Sequence, residues 1–441
     1  MNVHDSEKVR GTLAEKGYAQ VDSPDDAGLV LFNTCSIRDK AEQKVFSRLA
    51  GLKYRSKNKH VGVLGCVAQH NGEAIFEQAP HVSLVCGSAS YNQLPELVDR
   101  LEAGESRVAG LDLDTDETFD QPSVDRGNAH SAYLTIIEGC DKNCSYCVVP
   151  FTRGPERSRP SASVIDEARR IVAGGASQIT LLGQTVNSYR DPSEAGKTFA
   201  QLLDEVGDVE GVRRVRFTTS HPRDFGPDIV DAIDRNSTLC NWVHLPVQSG
   251  STSVLNGMRR SYNRDQYLKV IDFIKRSKRD IALSTDIIVG FPGETEDDFE
   301  ETLTLLQEIE YAQVFSFTYS PRRGTDSVDH ANHVPEEEKS RRLQILQQMQ
   351  QRIQDRRNAE RVGGEEEAFV EGFRPKHNQW IGRTSEGRVL NFSAPADLAE
   401  GSDLRGSYCQ VKVSWSGPNS LRGDLTSIVA GPSAPAFQIL N

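Results

Sequence analysis

What the chain lacks narrows its possible roles. No run of about 18 apolar residues occurs, so no membrane-spanning helix is expected. The opening MNVHDSEKVR has no apolar core of a secretory signal, and a cytoplasmic protein is expected. Positive charge is not in excess: 51 Lys and Arg against 63 Asp and Glu give a net charge of −12. Charge alone therefore points to no nucleic-acid partner, although RNA binding needs only a local basic surface. There is no internal repeat and no low-complexity tract. In a reducing compartment the eight cysteines are expected as thiols, either buried, metal-binding or catalytic.

What is present reads as an α/β protein of several domains. Residues 1–103 alternate helix and strand, with strands at Leu29–Phe32, Val61–Leu64 and Val82–Val85. That alternation predicts a parallel sheet. The domain opens on a helix near Asp5 with no strand before it, so a first strand is expected to be missing. Residues 104–126 are acidic and poor in apolar side chains, which predicts a linker. Residues 127–357 carry six further strand–helix units, beginning at Tyr133, Gln178, Val212, Trp242, Leu283 and Gln313. Six units predict an incomplete (β/α)6 barrel, whose chemistry would lie on the loops after the strand C-termini. They end in a helix over 336–361, with Leu343, Leu346, Met349 and Ile353 on one stripe. Residues 358–430 switch to short alternating strands, predicting a small all-β barrel, with a tail at 431–441.

The strongest chemical signal is Cys140, Cys144 and Cys147 in EGCDKNCSYCVVPFTRG, directly behind an apolar strand. Three thiolates on one tight loop can hold three irons of a cubane and leave the fourth open. A structural zinc site is the alternative, but zinc usually takes four ligands, often as two CxxC pairs, and no second pair lies nearby.

This segment resembles the methylthiotransferases among the radical S-adenosylmethionine enzymes. FNTCSIRDKAEQKVFSRL and LGCVAQ are similar to that family's N-terminal domain. LLGQTVNSY, FTTSHP, HLPVQSGS and DIIVGFPGET are similar to its catalytic barrel, and the C-terminal module resembles the RNA-binding TRAM barrel. The resemblance runs over essentially the whole chain. The segment around Cys35 is most similar to the subgroup that methylthiolates C2 of N6-isopentenyl (dimethylallyl) adenosine next to the anticodon of tRNA. Relatives acting on threonylcarbamoyladenosine or on a ribosomal protein fit that segment less well. An inactive RNA-binding relative is a third alternative.

The resemblance implies two [4Fe-4S] clusters, S-adenosyl-L-methionine, a tRNA carrying isopentenyladenosine, an electron donor of the flavodoxin or ferredoxin type, and a monomer. Cys35 and Cys66 each follow a strand of one predicted sheet. From position alone they are either ligands of a shared metal or two buried core cysteines; the resemblance makes them ligands of the second cluster. The family takes its third ligand there from a motif of the form GCQMN, of which Met1–Asn2 reads as the tail, so that cysteine is expected just before Met1. Cys86 is expected to be a core cysteine. For the cofactor, the resemblance implies contacts at Tyr146, Gly183, Gln184, Gln248, Val289, Gly290 and Phe291. No side chain is assigned as a general acid or base. Arg153 and Arg157 are candidates for phosphate or carboxylate recognition, or else surface ion pairs. Arg374, Lys376, Trp380, Arg383 and Arg388 are candidates for RNA contact.

Overall fold

The computed structural model describes residues 1–35, 39–52, 59–113, 124, 126–395 and 402–433. Most of the expected acidic linker and nearly all of the tail lie outside these residues. The chain forms two compact units. The first comprises Met1–Gly127, Glu138–Arg157 and Arg322–Thr325. The second comprises Asn128–Ile137, Ser158–Pro321 and Asp326–Asn441.

The first unit is built on a parallel sheet in sequential order: β1 (Leu29–Thr34), β2 (His60–Gly65), β3 (Leu84–Cys86) and β4 (Val108–Gly110). β4 falls inside the stretch read as linker. It pairs with β3 from Leu84↔Val108 to Cys86↔Gly110, because Val108 supplies one more apolar residue for the core. Beside the sheet lie helices Asn2–Glu15, Asp39–Leu52, the short Cys66–Asn71 and Ala74–Gln78, and Leu94–Glu102. The last shows why such elements form: Leu94, Leu97, Val98 and Leu101 recur at helical spacing and are all buried, with Pro95 in the first turn, where its missing N–H costs nothing.

The second unit contains six parallel strands: β5 (Ser131–Thr135), β6 (Gln178–Leu182), β7 (Arg214–Phe217), β8 (Trp242–His244), β9 (Ala282–Val289) and β10 (Gln313–Thr318). They pair as β5-β6-β7 and β8-β9-β10. Between these triplets, Val215 donates to the carbonyl of Thr238, and Cys240 donates back to that of Val215. This open arrangement is the expected incomplete barrel. A closed five-stranded barrel follows: β11 (Glu365–Arg374), β12 (Gln379–Thr384), β13 (Val389–Ser393), β14 (Tyr408–Gly417) and β15 (Ser420–Ala430), in the order β11-β12-β13-β15-β14. Its last strand was not foreseen. Ser420–Ala430 alternates apolar and polar residues only over its first half, Leu421, Gly423 and Leu425 being the buried ones.

Helix Glu336–Ala359 joins the two barrels of this unit. Leu346 and Ile353 are buried in the main core, while Leu343 and Met349 of the same stripe are only partly covered. Polar residues fill the rest of its inner face: Gln350 donates to the carbonyl of Tyr311 (2.8 Å), and Asn358 to that of Gly417 (2.8 Å). Leu346→Ala should cost about 2–5 kcal/mol, as a buried leucine truncated to alanine does. Leu343→Ala should cost clearly less, and thermal denaturation of the two variants measures the difference.

Candidate functional site: two cysteine sets and a row of strand ends

In the first unit, parallel pairing brings β1 and β2 to an end together at Thr34↔Gly65. Cys35 and Cys66 are the next residue on each strand, so the register places them side by side on the C-terminal edge of the sheet. Thr34 ties the two chain ends together: its hydroxyl donates to the carbonyl of Leu64 (2.6 Å) and accepts from the amide of Val67 (3.2 Å). Cys66 is buried and opens the short helix Cys66–Asn71; Cys35 is partly exposed.

The triad lies in the same unit. Cys140 is buried, and Cys144 and Cys147 are partly exposed. The loop is held by backbone bonds from Cys140 N to Gly154 O (3.2 Å) and from Cys147 N to Cys144 O (3.1 Å). It is also held by the Asp141 carboxylate, which accepts from the amide of Glu156 (2.8 Å). Gly139 makes the turn into it at φ +75, and a Cβ there would lie 1.9 Å from the carbonyl oxygen of Pro155. Only glycine fits. Burial pushes the Cys140 thiol up to about 11, partly countered by a backbone hydrogen bond from Lys142. A metal is needed to hold it as thiolate at neutral pH. Tyr146 is partly exposed between two of the thiols.

The segment after the triad forms the helix Val149–Arg153, which packs against helix Cys66–Asn71. The hydroxyl of Ser88 donates to the carbonyl of Thr152 (2.6 Å). The two cysteine sets thus share one unit, and the chain leaving the triad runs along the helix that begins with Cys66.

Arg153 is neither a surface pair nor a ligand-facing group, contrary to both readings of the sequence. It is buried and forms a bidentate pair with the buried Asp5 (2.5 and 3.4 Å). Burial would lower its pKa, but the Asp5 carboxylate and nearby Cys66 outweigh burial and keep the guanidinium charged. Arg157 reaches Glu138 at 3.5 Å, and Lys8 reaches the same carboxylate at 3.3 Å. Asp5, Lys8 and Glu138 were missed because charged residues at helical spacing read as a solvated face.

Cys86 is fully buried, donates to the carbonyl of Ser90 (3.3 Å), and is pushed up to about 12 by burial, as befits a core cysteine. Cys240 and Cys409 are buried as well. Among the described residues, no three His, Cys, Asp or Glu side chains converge as a single metal ion would require.

In the second unit, the expected cofactor contacts all lie at strand ends. Gly183 follows β6, and a Cβ there would lie 2.2 Å from Ile137 Cγ2. Gln184 follows it with a buried side-chain oxygen that has no partner, the mark of a polar group awaiting a ligand donor. Gln248 takes φ +73, a region costly for a side chain of its kind, and is held there between Asp286 O and Ile288 N (2.9 Å each). Its loop is fixed below by Gly250 N donating to the Thr302 hydroxyl (2.9 Å) and by Ser251 donating to Asp298 (2.6 Å). Val289 and Phe291 are buried, the Phe291 ring lying edge-on to Tyr319 at 5.4 Å. Their side chains face protein. At Gly290 the amide donates to Glu294 (2.8 Å), whose carboxylate is anchored by Arg342 (2.7 Å).

On the small barrel, Arg374 and Lys376 are exposed. Trp380 lies against the exposed Phe373 of the neighbouring strand, ring centres 4.8 Å apart. Phe373 was missed because it reads as an ordinary strand residue. Arg383 is engaged by Glu371 (3.0 Å), and Arg388 is buried against Asn358 (3.3 Å), where desolvation lowers its pKa. Arg388 is thus part of the fold, which leaves Arg374, Lys376, Trp380, Arg383 and Phe373 as candidates for an RNA face.

Residues 134–306 match the radical SAM superfamily, and residues 1–87 match a family described as uncharacterized protein family UPF0004. A curated protein of Solibacter usitatus (strain Ellin6076), a tRNA-2-methylthio-N(6)-dimethylallyladenosine synthase, is 60% identical over 430 residues, covering 97% of this chain and 96% of its own. Proteins of the same description from Koribacter versatilis (strain Ellin345) and Aquifex aeolicus (strain VF5) are 56% and 41% identical over 96% and 97% of this chain, and 96% and 97% of their own lengths. Among solved structures, the radical S-adenosylmethionine methyltransferase TsrM from Kitasatospora setae, with cobalamin and a [4Fe-4S] cluster bound, superposes with a TM-score of 0.51. It shows 16% identity over 68% of this chain and 63% of that one, a likeness of fold.

Gly139→Ala should strain the turn and push the loop off Pro155. The expected result is loss of most triad-bound iron after anaerobic reconstitution, measured by iron analysis and visible absorption.

Proposed function

Because the chain belongs to the family of tRNA-2-methylthio-N(6)-dimethylallyladenosine synthases, we infer that it adds a methylthio group to C2 of N6-dimethylallyladenosine in tRNA. The observation that carries this is the coincidence of full-length similarity with the placement of both cysteine sets in one unit.

The radical SAM match brings S-adenosyl-L-methionine and a [4Fe-4S] cluster. When bound, this pair supplies a radical able to take hydrogen from an unactivated carbon. Cys140, Cys144 and Cys147 would hold that cluster, and Gly139 gives their loop its shape. Gln184, with its unpartnered oxygen, would accept from the cofactor's amino group. The backbone at Gly183 and the carbonyl of Gly290 would offer polar edges, the Gln248 side chain would reach the ribose, and Tyr146 would cover the cofactor from the loop. Cys35 and Cys66 would hold a second [4Fe-4S] cluster, where the inserted sulfur would be carried. Among the described residues no helix is long and apolar enough to cross a membrane. A cytoplasmic monomer, reduced by a flavodoxin- or ferredoxin-like donor, completes the reading. The exposed Arg374, Lys376 and Phe373, with the half-buried Trp380, would contact the tRNA by phosphate pairing and base stacking, each stacked base contributing about 1–3 kcal/mol.

Two measurements test it. Mass spectrometry of tRNA nucleosides from cells lacking the gene should show dimethylallyladenosine accumulating and its 2-methylthio form absent. Retention of that form, with loss of a different methylthio nucleoside, would move the chain to a sister specificity. In anaerobically reconstituted protein the triple change of Cys140, Cys144 and Cys147 to Ala should remove about four irons, those of one cubane; full retention would show that the triad holds no cluster.

A further inference from the structure

The helix Asn2–Glu15 buries charge as well as apolar surface: His4, Asp5, Glu7 and Lys8 are all buried, beside Val9. Asp5 and Lys8 stand one turn apart, on the same face. Asp5 holds Arg153 through two bonds, and Lys8 holds Glu138 at 3.3 Å. Glu138 lies two positions before Cys140, and Arg153 six after Cys147. One helical turn thus grips the triad segment at both ends, with opposite polarity at each.

We propose that this helix is a two-ended electrostatic clamp, and that Asp5 and Lys8 are positioning residues that fix the triad loop relative to the Cys35–Cys66 edge. Buried ion pairs are poor sources of stability, since apolar replacements often do as well. What they provide is registry. Reversing the segment, or sliding it by one turn, would set Asp5 against Glu138 or Lys8 against Arg153, like charge against like. Ser88, donating to Thr152, supplies a third fixed point on the same segment. Because helix Val149–Arg153 packs along the helix that starts at Cys66, seating Arg153 also seats the triad beside the second thiol set. This rests on the reading of Cys35 and Cys66 as ligands of a second cluster, the site from which sulfur must reach the carbon activated at the first.

The test uses full-length, anaerobically reconstituted protein with S-adenosyl-L-methionine and tRNA bearing dimethylallyladenosine. Lys8→Met leaves Glu138 paired with Arg157 and should fold. Asp5→Lys combined with Lys8→Asp keeps the composition and reverses the polarity. Asp5→Arg combined with Arg153→Asp swaps one pair. Three quantities are read: amide hydrogen exchange over 138–157, spin coupling between the reduced clusters, and 5′-deoxyadenosine formed per methylthio product. Lys8→Met should still cleave S-adenosyl-L-methionine, but exchange over 138–157 should quicken tenfold or more, the spin coupling should weaken, and deoxyadenosine per product should rise severalfold. The polarity reversal should exceed it on all three, and the swapped pair should return towards the wild type. Wild-type exchange in Lys8→Met and in the reversal overturns the clamp. So does faster exchange with unchanged coupling and unchanged product ratio, since the pairs would then be structural only. Unchanged iron content when Cys35 and Cys66 are both changed to Ala would instead overturn the second-cluster reading, and the exchange data would still decide the clamp.

Discussion

Parallel strand pairing is the constraint on which the rest of this molecule depends. Parallel strands all end on the same edge, and each must be followed by a crossover long enough to return to the other side. In the first unit that rule carries Cys35 and Cys66 to one edge, one residue beyond the last pairing of β1 and β2. In the second it places Gly183, Gln248 and Gly290 in the loops after β6, β8 and β9, on the strand-end edge of an open barrel. Reactive and binding groups need not be brought together by folding back a long loop. They collect where the topology ends its strands, the edge at which α/β folds generally bind ligands.

That edge would be useless if its loops were free to wander, and the structure spends its buried polar groups on holding them. Thr34 bonds both to Leu64 and to Val67, fixing the two thiol-bearing strand ends against each other. Thr302 and Asp298 hold the loop of Gly250 and Ser251 from beneath. Glu294, anchored by Arg342, takes up the amide of Gly290. Each of these residues pays a desolvation cost that an apolar side chain would not, and each is set one layer behind a strand end. Not every polar group there is satisfied: the side-chain oxygens of Thr135, Gln178, Gln184 and Ser220 are buried without a partner.

Legibility in the sequence followed from how local each signal is. The triad stood out because three thiols fall within eight residues, and a zinc site would ask for a fourth ligand. The six barrel strands were readable because each is a short apolar run followed by a helix with its own periodicity. β4 was not, since three residues, Val108–Gly110, give no period and sit beside an acidic stretch. β15 was not, because its outer half is exposed and breaks the alternation with Ile428, Val429 and Ala430 in a row. Among site residues, the misreadings concern arginine. Nothing local distinguishes Arg153, which meets Asp5 across 148 positions, from Arg374, which is exposed. Both read as a basic residue in a polar loop, and only the tertiary fold tells a buried partner from an open surface.

The same ambiguity explains why net charge said so little about an RNA partner. A formal charge of −12 suggests a surface that repels phosphate. Yet the sum counts side chains that never meet solvent as freely as those that do. Arg153, Arg214, Arg216 and Arg342 are all buried, and Asp5, Glu138 and Glu294 are buried with them. Arg214 pairs with Glu367 (2.8 Å) and with the carbonyl of Arg383 (2.9 Å), joining the open barrel to the small one. Charges spent in this way shape the fold and cancel at a distance. What a polyanion meets is the residual pattern, and on the small barrel that pattern includes Arg374 and Lys376 beside an aromatic pair, Phe373 and Trp380, offered at the surface. A few cations next to stacking rings suffice, because stacking is short-ranged and indifferent to the sign of the molecule as a whole.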